Sequence, residues 1–99
     1  MLKNKIITNN KKLSFIEHHQ LSRKELLERV LKICKKNYGK NHIRTSVAYA
    51  NLGDALTNFE NYAKAKKYLK KALKIEKKFF SLDHPEISKT LSMLGNAYG

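Results

Sequence analysis

The 99-residue chain has room for one small domain at most, and short chains bury a smaller share of their surface than long ones do. A hydrophobic fraction of 41% suits a globular fold, four Gly and one Pro favour helices over strands, and a lone Cys34 excludes an intrachain disulfide and points to a reducing, cytoplasmic setting. The formal charge of +13 is almost all lysine and leaves nucleic acid, acidic protein and anionic membrane open as partners, although lysine and asparagine abundant together read as the codon bias of an AT-rich genome.

In chain order, residues 1–20 carry only a weak helical spacing of Leu2, Ile6, Leu13 and Ile16, and are expected to be an eroded first helix or a disordered N-terminal segment. Ile6 and Ile7 run at once into Asn9, Asn10, Lys11 and Lys12, so no signal-peptide core can be drawn, and nothing approaches transmembrane length. A clear helix follows over 21–38. A helix pair is expected over 43–80. Its first member is marked by Val47, Tyr49, Leu52, Ala55, Leu56 and Phe59, and its second by Tyr62, Ala65, Tyr68, Leu69, Ala72, Leu73 and Ile75, with a tight turn at Glu60 and Asn61. The second helix should run to about Phe80, because no breaker interrupts a stretch rich in Lys and Leu. A last helix is expected over 85–99, started by Pro85 and capped by Asp83 or His84; Asn41 is the equivalent cap of the earlier helix.

The elements repeat. The 27 residues from Leu31 align without a gap on those from Leu73, ten of them identical, at a constant offset of 42. Leu31, Ile33, His42, Ser46, Leu52, Gly53 and Ala55 thus recur as Leu73, Ile75, His84, Ser88, Leu94, Gly95 and Ala97. One period earlier the pattern erodes: Asn10 and Lys11 stand in the places of Leu52 and Gly53, and Arg23 in that of Ala65.

Tyr49, Leu52, Gly53, Tyr62, Ala65, Leu69 and Ala72 resemble the defining positions of the tetratricopeptide repeat, and the start of the next period repeats them with Leu91, Leu94, Gly95 and Tyr98. The HPEISKTLSMLGNAY stretch, with its extended preceding helix, is similar to the 42-residue variant found in kinesin light chain. The resemblance implies an all-α fold of antiparallel helix pairs stacked as a short right-handed α-solenoid. Gly53 and Ala65 would be small where paired helices cross, with Leu52, Leu69 and Ala72 filling the seam. Glu60 departs from the family's usual turn glycine, so Asn58 or Asn61 is expected to take any left-handed conformation there.

In such arrays the first helices line a groove that takes an extended peptide or a partner helix. Opposite the expected buried Tyr49, Leu52 and Leu56 lie Val47, Ala50, Asn51, Asp54 and Asn58, and one period later Lys89, Ser92, Met93 and Asn96; these are the candidate partner-binding residues. The Asn51 amide could both donate to and accept from a peptide backbone, and Lys89 could meet an acidic side chain. A protein-interaction module is therefore the leading expectation. The alternatives are a basic helical protein binding nucleic acid or anionic membrane through its lysine face, and a decayed gene product.

No catalytic, cofactor or metal constellation is expected: glycines are scattered singly, the histidines lack zinc-ligand spacing, and His42 and His84 repeat as loop residues. The helix over 85–99 lacks a following partner, so the chain is expected to be a piece of a longer array or to be completed by association through its unpaired terminal helices.

Overall fold

A computed structural model describes residues 22–99. The expectation for residues 1–20 lies outside the described residues. Four helices follow one another: α1 (Arg23–Tyr38), α2 (Ile43–Asn58), α3 (Tyr62–Phe79) and α4 (Pro85–Tyr98). No strand occurs among the described residues. Each helix packs on the next, and α2 also touches α4, which is the neighbour pattern of a repeat array rather than of a closed bundle.

Local chemistry accounts for the helix ends. α1 begins with a capping box, in which the Glu25 amide donates to Ser22 Oγ at 3.1 Å and the Ser22 amide donates to Glu25 Oε1 at 3.0 Å. α1 stops at Gly39, whose φ of 92° suits a residue without a side chain.

Helices α2 and α4 are capped by His42 and His84. In each, Nδ1 accepts the amide two residues on, Arg44 at 3.0 Å and Glu86 at 3.1 Å. Asn41 is therefore not the cap, and the choice between Asp83 and His84 falls to the histidine. The reason is the aromatic that closes the preceding helix: the His42 ring stacks on Tyr38 at 4.8 Å and the His84 ring on Phe80 at 4.0 Å, which aims Nδ1 at the helix start. Asp83 instead accepts from the Ser81 hydroxyl at 2.7 Å.

The turn between α2 and α3 also differs from expectation. Glu60 itself takes the left-handed conformation, with φ of 63°, rather than Asn58 or Asn61. Its amide donates to the Thr57 carbonyl at 2.9 Å and the next amide, Asn61, donates to Leu56 at 2.8 Å. This Schellman pairing puts the left-handed residue at one fixed place, and Glu60 stands there.

Between α2 and α3 the small residues do what the repeat demands. A Cβ on Gly53 would lie 2.6 Å from Leu69 Cγ and 3.3 Å from the Ala65 carbonyl oxygen, so only glycine admits this crossing. Leu52, Leu56, Ala65, Leu69 and Ala72 are all buried around it, and Tyr49 stacks on Tyr68 at 5.7 Å. Not every apolar residue of the sequence pattern follows them inward: Val47, Phe59, Tyr62 and Phe79 are exposed. Phe59 and Tyr62 flank the turn between α2 and α3, and Phe79 ends α3.

The α3–α4 junction carries one buried charge-bearing group. Glu76 is buried, with Oε2 accepting from Thr90 Oγ1 at 2.9 Å and Oε1 left without a partner. One period earlier the same two positions hold Cys34 and Ala48.

Candidate functional site

Helix α2 presents a narrow strip away from the core. Val47, Asn51, Asp54 and Asn58 are spaced three or four residues apart, which places them on one side of the helix. Val47 and Asn58 are exposed, Asn51 and Asp54 half-buried. On α4, Lys89, Ser92 and Asn96 are exposed, while Met93, the counterpart of Asn51, is half-buried against the core cluster.

Ala50 does not belong to the strip. It is 6% exposed and part of the core, because it lies on the flank of α2 that turns inward with Tyr49 and Gly53. Its counterpart Ser92 is exposed, since no further helix packs beside α4 among the described residues. Helical spacing alone put Ala50 on the free side; contact with a neighbouring first helix decides otherwise.

A cleft of about 450 Å³ opens between α1 and α2. Val30 and Ile33 of α1 form its apolar side, and Val47 and Asn51 meet them from α2, with Asn37 and Arg44 at the rim. The contribution of α1 was missing from the sequence-based strip. The repeat offset holds the signal for it: Val30 and Ile33 stand one period before Ala72 and Ile75, which are buried, whereas Val30 and Ile33 are 39% and 56% exposed among the described residues.

The opposite side of the array is basic. Lys35 Nζ and Lys71 Nζ sit 6.0 and 5.6 Å from the Tyr49 ring, and Lys66 and Lys70 lie over Tyr98 at 4.7 and 5.6 Å. The hydrogen bond from Lys70 holds the Tyr98 hydroxyl below its ordinary pKa. Burial pushes the Glu76 carboxyl up, opposed by its bond to Thr90.

Among the described residues, no three His, Cys, Asp or Glu side chains gather as metal ligands would, and no helix is long and apolar enough to cross a membrane. Cys34 is half-buried beside the core, with its carbonyl receiving a long 3.4 Å contact from Thr45 Oγ1.

A helix pair crossing at a glycine, first helices side by side and a period of 42 residues define a helical-repeat scaffold. The sequence profile of the tetratricopeptide repeat matches residues 24–78, more than half of the chain, and the chain belongs to that family. The match takes in all of α2 and nearly all of α1 and α3. No curated protein and no solved structure gives a significant match. Membership makes the chain, in general terms, a scaffold for protein–protein interaction.

Proposed function

We propose that the chain holds an extended peptide or a partner helix along its first helices, on the strip of Val47, Asn51, Asp54 and Asn58 and its continuation through Lys89, Ser92, Met93 and Asn96. The observation that carries it is the Val47–Asn51 edge of the cleft, where an apolar wall formed with Val30 and Ile33 meets an amide able both to donate and to accept. Such a wall takes an apolar side chain while the Asn51 amide takes the backbone beside it.

The strip is nearly neutral. Asp54 faces a basic partner residue and Lys89 an acidic one, so the two set direction more than affinity. The surface is short, and a micromolar or weaker Kd is expected of it. A cytoplasmic setting fits the single free thiol, and the faces of α1 and α4 that no other helix covers among the described residues offer a route to self-association.

The test is selection of peptides from a random library on the chain, followed by titration against Asn51→Ala and Val47→Asp. Both variants should weaken the selected peptides at least about tenfold, because Asn51→Ala removes a hydrogen bond to the peptide backbone and Val47→Asp puts a charge on the apolar wall. Unchanged affinity in both would remove the strip from the interface.

A further inference from the structure

Among the described residues the positive charge is not spread evenly over the helices. Helix α3 carries eight lysines against the single buried Glu76, and α1 carries six cations against Glu25 and Glu28. The first helices are balanced, with Arg44 against Asp54 on α2 and Lys89 against Glu86 on α4. Of ten exposed positions on α3, seven are lysine; of eight on α4, one is. A codon bias acting alone would place lysine at any solvated helix position, and α4 offers many that hold Ser, Asn or Gly instead. The partition follows the architecture: cations on second helices, neutral polar residues on first helices.

At 100° per residue, Lys64, Lys67, Lys71, Lys74 and Lys78 form one continuous strip opposite the buried Ala65, Leu69 and Glu76. From Lys67 to Lys78 the strip runs about 16 Å along the axis, with a cation at each turn, roughly every 5 Å. This spacing is of the order of the distance between successive phosphates on one strand. Lys67, Lys74 and Lys78 are exposed and form no cation–π contact among the described residues, whereas Lys71 lies 5.6 Å from the Tyr49 ring.

We infer that the α3 lysine strip binds the phosphate backbone of duplex nucleic acid, without sequence preference, on the side of the array away from the proposed peptide strip. Three observations select this polyanion. The strip itself contains no aromatic side chain, and the Tyr98 ring beside it already carries Lys66 and Lys70 over its face at 4.7 and 5.6 Å, so it offers no open row of stacking platforms such as single strands use. No large apolar side chain lies there either, whereas helices that seat in a membrane interface bury an apolar face beside their cations. The cations are all lysine; a point charge neutralises phosphate but does not read a base edge with the paired donors of arginine.

The experiment is fluorescence anisotropy of the full chain with a short mixed-sequence DNA duplex, a single strand of the same sequence, and vesicles of mixed phosphatidylserine and phosphatidylcholine. With about four phosphates neutralised, duplex affinity should fall roughly 100-fold between about 50 and 200 mM salt. The triple variant Lys67→Gln, Lys74→Gln, Lys78→Gln should lose at least about tenfold and show a salt slope shallower by roughly 0.9 for each phosphate it no longer neutralises. The Lys→Arg version at the same three positions should bind as the parent does, and so should Asn51→Ala.

Salt-independent binding of the parent overturns the proposal, as does a single strand preferred over the duplex, or vesicle binding without duplex binding. So does a Gln variant that binds like the parent while its circular dichroism is unchanged. If the Gln variant is unfolded, the parent's salt slope and its duplex preference still decide. Failure here leaves the peptide strip untouched, because that strip is read out by Asn51→Ala against selected peptides.

Discussion

Gly53 and Gly95 occupy the same repeat position, 42 residues apart, yet alanine at the two should act with opposite sign. At Gly53 the new Cβ would stand 2.6 Å from Leu69 Cγ and 2.9 Å from its Cδ2, well inside contact distance, and Leu69 is 0% exposed and cannot swing clear. Overpacking of this kind costs about 1–3 kcal/mol, toward the upper end here because the backbone oxygen of Ala65 closes the other side at 3.3 Å. The better helix propensity of alanine returns about 1 kcal/mol, so Gly53→Ala should destabilise by about 1–2 kcal/mol, a fall in Tm of roughly 5–10 °C for a domain this small. At Gly95 a Cβ would meet nothing within 4 Å, so only the propensity gain remains, about 0.5–1 kcal/mol and a few degrees upward. Thermal melts followed by circular dichroism at 222 nm read both. The cause is isolated by a third protein: in a Leu69→Ala background, Gly53→Ala should cost much less, because the clashing atoms are gone. Equal shifts for the two glycines, or an undiminished cost in the Leu69→Ala background, would refute the close crossing as the reason for glycine at position 53.

Three further outcomes follow from the same packing. Glu60→Gly should stabilise by about 1 kcal/mol, measured by urea unfolding, because glycine takes the left-handed turn conformation without the strain a side chain brings. His84→Ala should cost about 1 kcal/mol and fray α4, seen as faster amide exchange at Glu86 and Ile87, since it removes both the cap and the stack on Phe80. For Glu76 the folded carboxyl holds its proton to higher pH than the unfolded one, because burial outweighs the Thr90 bond. Its contribution is therefore fully favourable below the unfolded pKa and is lost as pH rises through the raised folded value. Urea midpoints should fall from acid toward neutral pH relative to the Glu76→Met, Thr90→Ala double variant, which restores an apolar junction like that of Cys34 and Ala48; parallel pH profiles for the two proteins would contradict this.

The 42-residue offset made the helix pairs legible, because each period must bury the same seam: Leu52, Gly53, Ala65, Leu69 and Ala72 all lie where a crossing at glycine requires them. What the pattern could not carry was packing beyond one helix. Ala50 looks free on a helical wheel and is buried because a first helix packs beside it. Phe59, Tyr62 and Phe79 fit the apolar period and are exposed because they sit at helix ends. Glu60 takes the left-handed turn because the hydrogen-bond ladder of α2 fixes which residue comes next after its last turn, whatever that residue's preference. His42 and His84 become caps only once Tyr38 and Phe80 are near enough to hold their rings. Of the candidate site, the α2 strip was visible in spacing, while the α1 wall of the cleft needed the two helices set side by side.

Most directly at stake is whether partners lie along the first helices. Amide chemical shifts of the isotope-labelled chain, followed during titration with a library-selected peptide, test it. The largest changes should fall on Val47, Asn51, Asp54 and Asn58, extend to Lys89 and Asn96, and need at least about tenfold more peptide in Asn51→Ala. Changes confined to the lysine side of α3, around Lys67, Lys74 and Lys78, would contradict a peptide-binding groove.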